Sequence, residues 1–212
     1  MAKITKIEVQ KRNKNRVNIY LDGIYALAVN AELVYTQGLA ANMDIDEDKL
    51  RAVAKEEDFL KCKNTALKII EKSYKTEKEI RDKLIEKGYE ADVIDPTIKF
   101  LREYNFINDE SYTRMYVKDR LRSQGSQKIK YALMRKGIDE ESIKNELDNI
   151  DRDSEKEIAM ELAQKKYNQL SKRESDKYKL WNKLCRYLVG RGYDYSLAKS
   201  VVKSILDVDV MD

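Results

Sequence analysis

Basic residues clustered in two stretches are the feature of this sequence best suited to a chemical task, and that task is anion binding. Residues 114–136 carry eight lysines and arginines against one acid, Asp119, and residues 165–191 carry nine against two. Between these stretches, residues 139–157 carry nine acids and three bases. Phosphate groups attract such cationic stretches, and the release of counterions adds to the affinity. Ordinary solvated helix faces can give the same pattern, so the charges alone leave both interpretations open.

Side chains that support catalysis are scarce. The 212 residues include no histidine, which removes the usual general base near neutral pH and every metal site that needs imidazole. The sequence also has no Gly-x-x-x-x-Gly-Lys-Ser/Thr phosphate loop. Two carboxylate pairs, Asp44 with Asp46 and Asp151 with Asp153, could hold magnesium for a nuclease, but solvated surface is the stronger interpretation in a chain with 38 acids. We therefore expect a non-enzymatic protein with no cofactor and no metal.

The first 46 residues show the alternation of a small β-sheet. Residues 4–9 form a short extended run, and residues 17–21 alternate apolar with polar side chains. The dipeptide Asp22-Gly23 tolerates the positive φ angles of a two-residue hairpin turn into a third run at residues 25–29. From about Glu47 the pattern becomes helical, after an acidic stretch that suits a helix start.

Three glycines mark an internal repeat. Gly88, Gly137 and Gly192 are 49 and 55 residues apart, and the segments that precede them superimpose without gaps. A leucine stands four residues before each glycine and an isoleucine or leucine eight before it, which is the spacing of one helix face. A lysine or arginine directly precedes each glycine, as a helix C-terminus favours. Each repeat therefore predicts a helix that ends at its glycine.

Apolar stripes on either side predict two more helices in each repeat. One stripe precedes the central helix at residues 66–70, 115–121 and 158–167, and another begins ten residues beyond each glycine. The predicted fold class is mainly α, with tandem three-helix repeats in an elongated array after a small N-terminal β-hairpin or sheet unit. The predicted domains are 1–46 for the β unit, 47–109 for a linking helix and repeat one, 110–150 for repeat two, and 151–212 for repeat three.

The central helix of repeat two predicts an exposed basic face. With Ile129 and Leu133 buried, Lys128, Tyr131 and Arg135 share the opposite side of the helix. The predicted anion-binding residues combine this face with its neighbours and with repeat three: Arg120, Arg122, Lys128, Tyr131, Arg135, Lys183 and Arg186.

The equivalent face of repeat one has the opposite charge. Its residues are Glu79, Asp82 and Glu86, so the predicted stripe changes sign between repeats. Thr76 and Glu79 also fit a capping box at the start of that helix, where a hydroxyl and a carboxylate satisfy free backbone amides. We expect the capping box to contribute stability alone.

The motifs around the three glycines resemble those of the RecX family of recombinase regulators. In that family a helix that starts at serine or threonine and contains glutamate ends in Leu-x-x-Lys-Gly. Residues 76–89 match this pattern from Thr76 through Leu84 to Gly88, and residues 108–112 with 125–138 match it in repeat two. The third repeat resembles the closing helix of the family, and the N-terminal extension resembles that of its longer members.

This resemblance implies a cytoplasmic protein that binds the RecA recombinase, either free or as the helical filament on single-stranded DNA. It implies that the protein restrains the strand-exchange and ATP-hydrolysing activities of RecA. We expect a monomer that makes no membrane contact, since the sequence has no long apolar span, and whose direct nucleic-acid binding is weak. A second hypothesis stays open, a helical DNA-binding protein that acts without a recombinase, because the spacing around each glycine also suits a helix-turn-helix.

Overall fold

The computed structural model describes residues 1–11 and 13–207, and this part of the chain is mainly helical. It divides into two compact units. The first comprises Met1–Ser73 with Ile80–Phe106, and the second comprises Tyr74–Glu79 with Ile107–Asp212. The first three residues of the helix Glu77–Glu86 thus belong to the second unit, a division that the sequence did not predict. The predicted domain boundaries and the elongated shape stay predictions.

The N-terminal sheet is antiparallel, and across it the strands follow in the order third, second, first and fourth along the chain. Its three predicted strands are confirmed as β1 (Ala2–Val9), β2 (Arg16–Leu21) and β3 (Ile24–Asn30). Asp22 and Gly23 have φ angles of 50° and 85°, as a two-residue hairpin turn requires. The alternation in β2 places its apolar side chains in the core of the first unit.

Two short elements of the first unit were not predicted. Helix α1 (Ala31–Thr36) directly follows β3, with the side chain of Asn30 accepting a hydrogen bond from the amide of Glu32. Strand β4 (Asp44–Ile45) then pairs with β1. Both are too short for a periodic pattern to reveal them. A helix as short as α1 is not stable by its helix propensity alone, and burial of Leu33 in the core below the sheet stabilises it.

The longest helix, α2 (Glu47–Lys72), begins where the sequence predicted. The carboxylate of Asp46 accepts hydrogen bonds from the amides of Asp48 and Lys49, so Asp46 is the N-cap. Helices α3 (Glu77–Glu86) and α4 (Ala91–Glu103) follow and complete repeat one.

The second unit contains the other two repeats. Repeat two consists of α5 (Asp109–Arg120), α6 (Ser126–Arg135) and α7 (Glu140–Asp148). Repeat three consists of α8 (Arg152–Leu170), α9 (Lys177–Gly190) and α10 (Tyr195–Leu206).

The glycine-aligned repeat is confirmed by the backbone. Gly88, Gly137 and Gly192 have φ angles of 86°, 84° and 95°, which place each of them just past its helix in the left-handed region. The aligned apolar residues before them, including Ile129 and Leu133, are fully buried. The central helices differ in length, since α9 has 14 residues whereas α3 and α6 have 10 each.

Candidate anion-binding surface

The predicted basic face of α6 is exposed. Burial of Ile129 and Leu133 fixes the rotation of the helix, and Lys128 and Arg135 then lie on its solvent side. The ring of Tyr131 between them is 58% exposed. The three side chains follow one another at i, i+3 and i+7, so they share one face. Their placement agrees with the prediction, and a binding role for them stays a prediction.

The opposite flank of α6 is neutralised. Lys130 Nζ lies 2.6 Å from Glu140 Oε1 of α7. The hydrogen bond and charge of Glu140 raise the pKa of Lys130, and those of Lys130 lower the pKa of Glu140. Glu140 of the acidic stretch therefore neutralises Lys130 on the opposite flank, and the face with Lys128 and Arg135 stays basic.

The third repeat offers a second basic face on α9. Lys183 and Arg186 are both exposed, but Lys183 Nζ lies 3.0 Å from Glu174 Oε2, which reduces the charge it presents. The pKa of Glu174 is lowered, chiefly by the hydrogen bond from Lys183. Lys179 lies one turn before Lys183 on the same face and is not among the predicted binding residues.

The two predicted arginines before α6 differ in their surroundings. Arg120 ends α5 with its guanidinium 5.4 Å from the ring centroid of Tyr116 and 3.5 Å from the Asp119 carboxylate. Arg122 is exposed in the turn between α5 and α6. Arg191 Nη1 donates a 2.9 Å hydrogen bond to the Ser123 carbonyl in this same turn. The structure thus ties the turn to the end of α9.

That bond belongs to a close junction between repeats two and three. The amide of Gly125 donates to the Arg191 carbonyl at 3.1 Å, and the amide of Gln127 donates to the Gly192 carbonyl at 3.0 Å. A β-carbon on Gly125 would lie 2.4 Å from the backbone of Gly192, so only glycine fits there without movement. The start of α6 therefore rests directly on the end of α9.

A carboxylate from repeat three completes this junction. Glu155 Oε1 accepts hydrogen bonds from the amide of Ser126 at 2.9 Å and from its hydroxyl at 2.6 Å. An anion at a helix N-terminus satisfies a free amide and offsets the positive end of the helix dipole. Sequence reasoning missed Glu155, because the partner lies 29 residues away and no local capping motif signals it.

The same junction occurs at the start of α3, within the second unit. Thr76 occupies the position equivalent to Gly125, and its Oγ1 donates to the Lys136 carbonyl at 2.7 Å. The amide of Glu77 donates to Asp109 Oδ1 at 2.9 Å, as Ser126 does to Glu155. The starts of α3 and α6 therefore make the same kind of contacts. In α9 the equivalent residue is Leu180, which is buried in the core of repeat three. The start of α9 therefore has no equivalent contact through this residue.

One prediction about the acidic stripe is wrong, namely that Glu79 is exposed. The capping box is confirmed, since the Glu79 amide donates to Thr76 Oγ1 and Glu79 Oε2 accepts from the Thr76 amide. The other carboxylate oxygen, however, lies 2.6 Å from Lys136 Nζ, and both side chains are about three-quarters buried. Glu79 is therefore part of the junction, and of the three predicted residues only Asp82 and Glu86 are exposed.

The electrostatics of this pair follow from its contacts. Burial raises the pKa of Glu79, but the hydrogen bonds from Lys136 and from the Thr76 amide outweigh it, and the pKa lies below the ordinary carboxyl value. Burial lowers the pKa of Lys136, but Glu79 and Tyr112 outweigh it, and the pKa is raised. Both groups are thus held in their charged forms.

One carboxylate of each pair considered as magnesium ligands is a helix N-cap. Asp46 is the N-cap of α2, and Asp151 is the N-cap of α8, where it accepts from the amides of Asp153 and Ser154. The hydrogen bonds from Ser154 and Asp153 lower the pKa of Asp151. In residues 1–11 and 13–207, no cluster of three or more carboxylate or thiol side chains could hold a metal ion. The same residues include no helix long and apolar enough to cross a membrane.

Comparison with known proteins covers almost the whole chain. Residues 2–46 match the family model described as the regulatory protein RecX N-terminal domain. Residues 62–101, 108–147 and 153–202 match the first, second and third three-helix domains of RecX.

Individual relatives agree with the domain matches. The regulatory protein RecX of Clostridium beijerinckii is 55% identical over all 212 residues, and that of Clostridium perfringens strain 13 is 54% identical, with both chains covered completely. A crystal structure of a regulatory protein RecX superimposes with a TM-score of 0.67 at 29% identity and covers 95% of this chain and 98% of its own. A crystal structure of RecX from Lactobacillus salivarius gives a TM-score of 0.65 at 26% identity, covering 72% of this chain and 99% of its own. The chain therefore belongs to the RecX family of regulatory proteins.

Proposed function

We propose that this protein binds the RecA recombinase, free or as the filament on single-stranded DNA, and restrains its ATPase and strand-exchange activities. The observation that carries the proposal is family membership over the full chain, together with the exposed basic faces of α6 and α9 in the second unit. Binding, without catalysis by this chain, is sufficient for such a role. The protein acts in the cytoplasm, where RecA works.

The basic faces of α6 and α9 support a contact with phosphates of the filament. Lys128 and Arg135 are exposed and carry no acid between them on their face of α6. Cations of this kind attract a polyanion over a distance set by ionic strength and gain affinity from released counterions. Arg120 and Arg122, which precede α6 in the chain, are exposed as well and add two cations to the second unit.

A titration of RecA activity tests the proposal. RecA filaments on single-stranded DNA would hydrolyse ATP at saturating nucleotide while increasing amounts of the protein are added. We expect hydrolysis to fall as the protein saturates the filament. The charge-reversal variant Lys128→Glu/Arg135→Glu should require more protein for the same effect. Lys144→Glu/Lys156→Glu is the matched control, because it changes net charge equally at exposed positions of the acidic stretch.

The alternative function is a helical DNA-binding protein that needs no recombinase, and the same basic faces favour it. A pull-down with purified RecA after nuclease treatment separates the two functions. Retention of RecA without DNA supports the modulator. Binding that disappears with the DNA, with no effect on ATP hydrolysis, supports the alternative.

A further inference from the structure

Three aromatic rings form an exposed cluster in the first unit. The ring centroids of Phe100 and Tyr104 are 4.7 Å apart, those of Phe100 and Phe106 are 6.0 Å apart, and those of Tyr104 and Phe106 are 6.5 Å apart. The planes differ by 26° to 36°, so the three rings are close to parallel. Tyr104 is 65% exposed and Phe106 is 41% exposed. We refer to these three residues as the aromatic cluster.

The end of α4 fixes the geometry of the cluster. Tyr104 is the C-cap of α4, and Asn105 follows with a φ of 55° in the left-handed region. The amide of Phe106 then donates to the carbonyl of the buried Leu101 at 2.8 Å. This helix-ending hydrogen bond turns the chain back, and it holds Phe106 beside the rings of the last helical turn.

The repeat architecture does not require aromatic residues at this place. In repeat two the C-cap of α7, which corresponds to Tyr104, is Asn149, and the residue two positions later is Asp151, so both are polar. Single exposed apolar side chains are common on proteins, but a packed group of exposed rings marks a site of interaction. The cluster thus points to a ligand, since the fold of the repeat can do without it.

The charged side chains near the rings indicate the charge of this ligand. Lys63 Nζ of α2 lies 4.8 Å from the centroid of Phe100. Lys99 directly precedes Phe100 in α4, and its side chain is 77% exposed. The acid in this last turn, Glu103, lies 3.8 Å from Lys99 Nζ, which is a loose and exposed pair. Flat apolar faces beside an excess of cations suit a ligand with aromatic planes and negative charge.

We propose that the aromatic cluster is a stacking platform for unpaired bases of single-stranded nucleic acid, with Lys63 and Lys99 facing its phosphates. This deepens the proposed function, on which it rests, by giving the first unit a direct contact with the DNA strand of the filament. Stacking of a base on an exposed ring tolerates any sequence, because every base has a π-face. A non-specific strand contact of this kind suits a protein whose target forms on any DNA.

Binding of naked oligonucleotides tests the platform. A fluorescent dT20 and an abasic 20-mer with the same phosphates would be titrated with the natural protein, Tyr104→Ala, Phe106→Ala and the double variant. We expect each single variant to bind dT20 roughly 5-fold or more weakly, while binding to the abasic strand stays unchanged. The loss should be similar at two salt concentrations, because stacking releases no counterions. Tyr104→Trp should restore affinity for dT20.

Photo-cross-linking identifies the residues that contact the oligonucleotide by an independent method. An oligonucleotide with 5-iododeoxyuridine would be irradiated on the natural protein, and we expect the attached peptide to contain Tyr104 or Phe106. Equal losses on dT20 and on the abasic strand, unchanged binding to dT20, or cross-links confined to the second unit would each overturn the proposal. So would variants that bind dT20 normally but lose DNA-free RecA, since the cluster would then be a protein contact. Inhibition of RecA ATP hydrolysis, measured in parallel, reports on the proposed function separately.

Discussion

The backbone of Lys128 lies so close to Gly192 that a β-carbon on the glycine would stand 2.3 Å from Lys128 Cβ and 2.5 Å from its amide nitrogen. The contact joins the start of α6 to the end of α9. Gly192 is required for two reasons. A β-carbon would overlap Lys128, and the φ of 95° is one that L side chains rarely adopt. This residue is therefore a direct probe of the junction between repeats two and three.

Substitution of the repeat glycines should separate backbone strain from docking. Gly88→Ala places its β-carbon in open space among the residues described, so it should cost only the φ strain, about 1 to 2 kcal/mol. Gly192→Ala adds the overlap with Lys128 and should cost clearly more. Gly190→Ala, two residues earlier in α9, has open space and an ordinary φ, and it should be neutral or stabilising. Urea unfolding of the three variants measures these free energies, and equal costs at Gly88 and Gly192 would argue against a tight junction.

The cap supplied by Glu155 should appear as a coupling energy with Ser126. Glu155→Gln should destabilise the second unit by about 1 to 3 kcal/mol, since a charged acceptor for two hydrogen bonds is lost. In a Ser126→Ala background the cost should be smaller, because the hydroxyl bond is already absent. A double-mutant cycle by chemical unfolding gives this difference. Strictly additive effects would show that the two groups do not interact in solution.

The ion pair between Glu79 and Lys136 should make stability depend on pH in the acid range. The folded pKa of Glu79 is lowered, so its contribution is fully present above the ordinary carboxyl pKa of 4.5 and is lost as the pH falls through the lower folded value. Glu79→Gln should remove about 1 kcal/mol at neutral pH and flatten the decline below pH 4.5. Thermal unfolding from pH 3 to pH 7 measures the effect. Glu86→Gln, at an exposed position of the same helix, is the control.

Naked single-stranded DNA should bind weakly at physiological salt, because the net charge is only +4 and the acidic stretch opposes the basic ones. Affinity for an oligonucleotide should fall steeply with added salt wherever phosphates are contacted. Fluorescence anisotropy with dT20 across a salt series gives the slope. Tight binding that ignores salt would contradict a phosphate contact.

The sequence predicted those parts of the fold that have a periodic signal. The three glycine-terminated helices, the hairpin at Asp22-Gly23 and the start of α2 follow from local spacing, and the structure confirms each of them. The exposed positions of Lys128 and Arg135 follow from the same periodicity, because burial of Ile129 and Leu133 fixes the rotation of α6.

The junctions could not be predicted, because their partners are distant in sequence. Thr76 bonds to the carbonyl of Lys136 across 60 residues, and Arg191 bonds to the carbonyl of Ser123 across 68. Backbone carbonyls have no residue-type signature, so neither bond leaves a motif. Glu79 was assigned to an exposed stripe for the same reason, since helical periodicity places it outward and only the docked helix end buries it.

The affinity of basic-face variants for RecA filaments on single-stranded DNA tests the central claim most directly. Lys128→Glu/Arg135→Glu and Lys183→Glu/Arg186→Glu would be titrated at two salt concentrations, beside the control Lys144→Glu/Lys156→Glu. We expect both basic-face variants to bind more weakly, and the salt slope to fall by about 1.4 for two lost phosphate contacts on a single strand. Their folding free energies should change by under about 0.5 kcal/mol, because the residues are exposed. Unchanged affinity and slope in both variants would contradict the claim that these faces meet the filament.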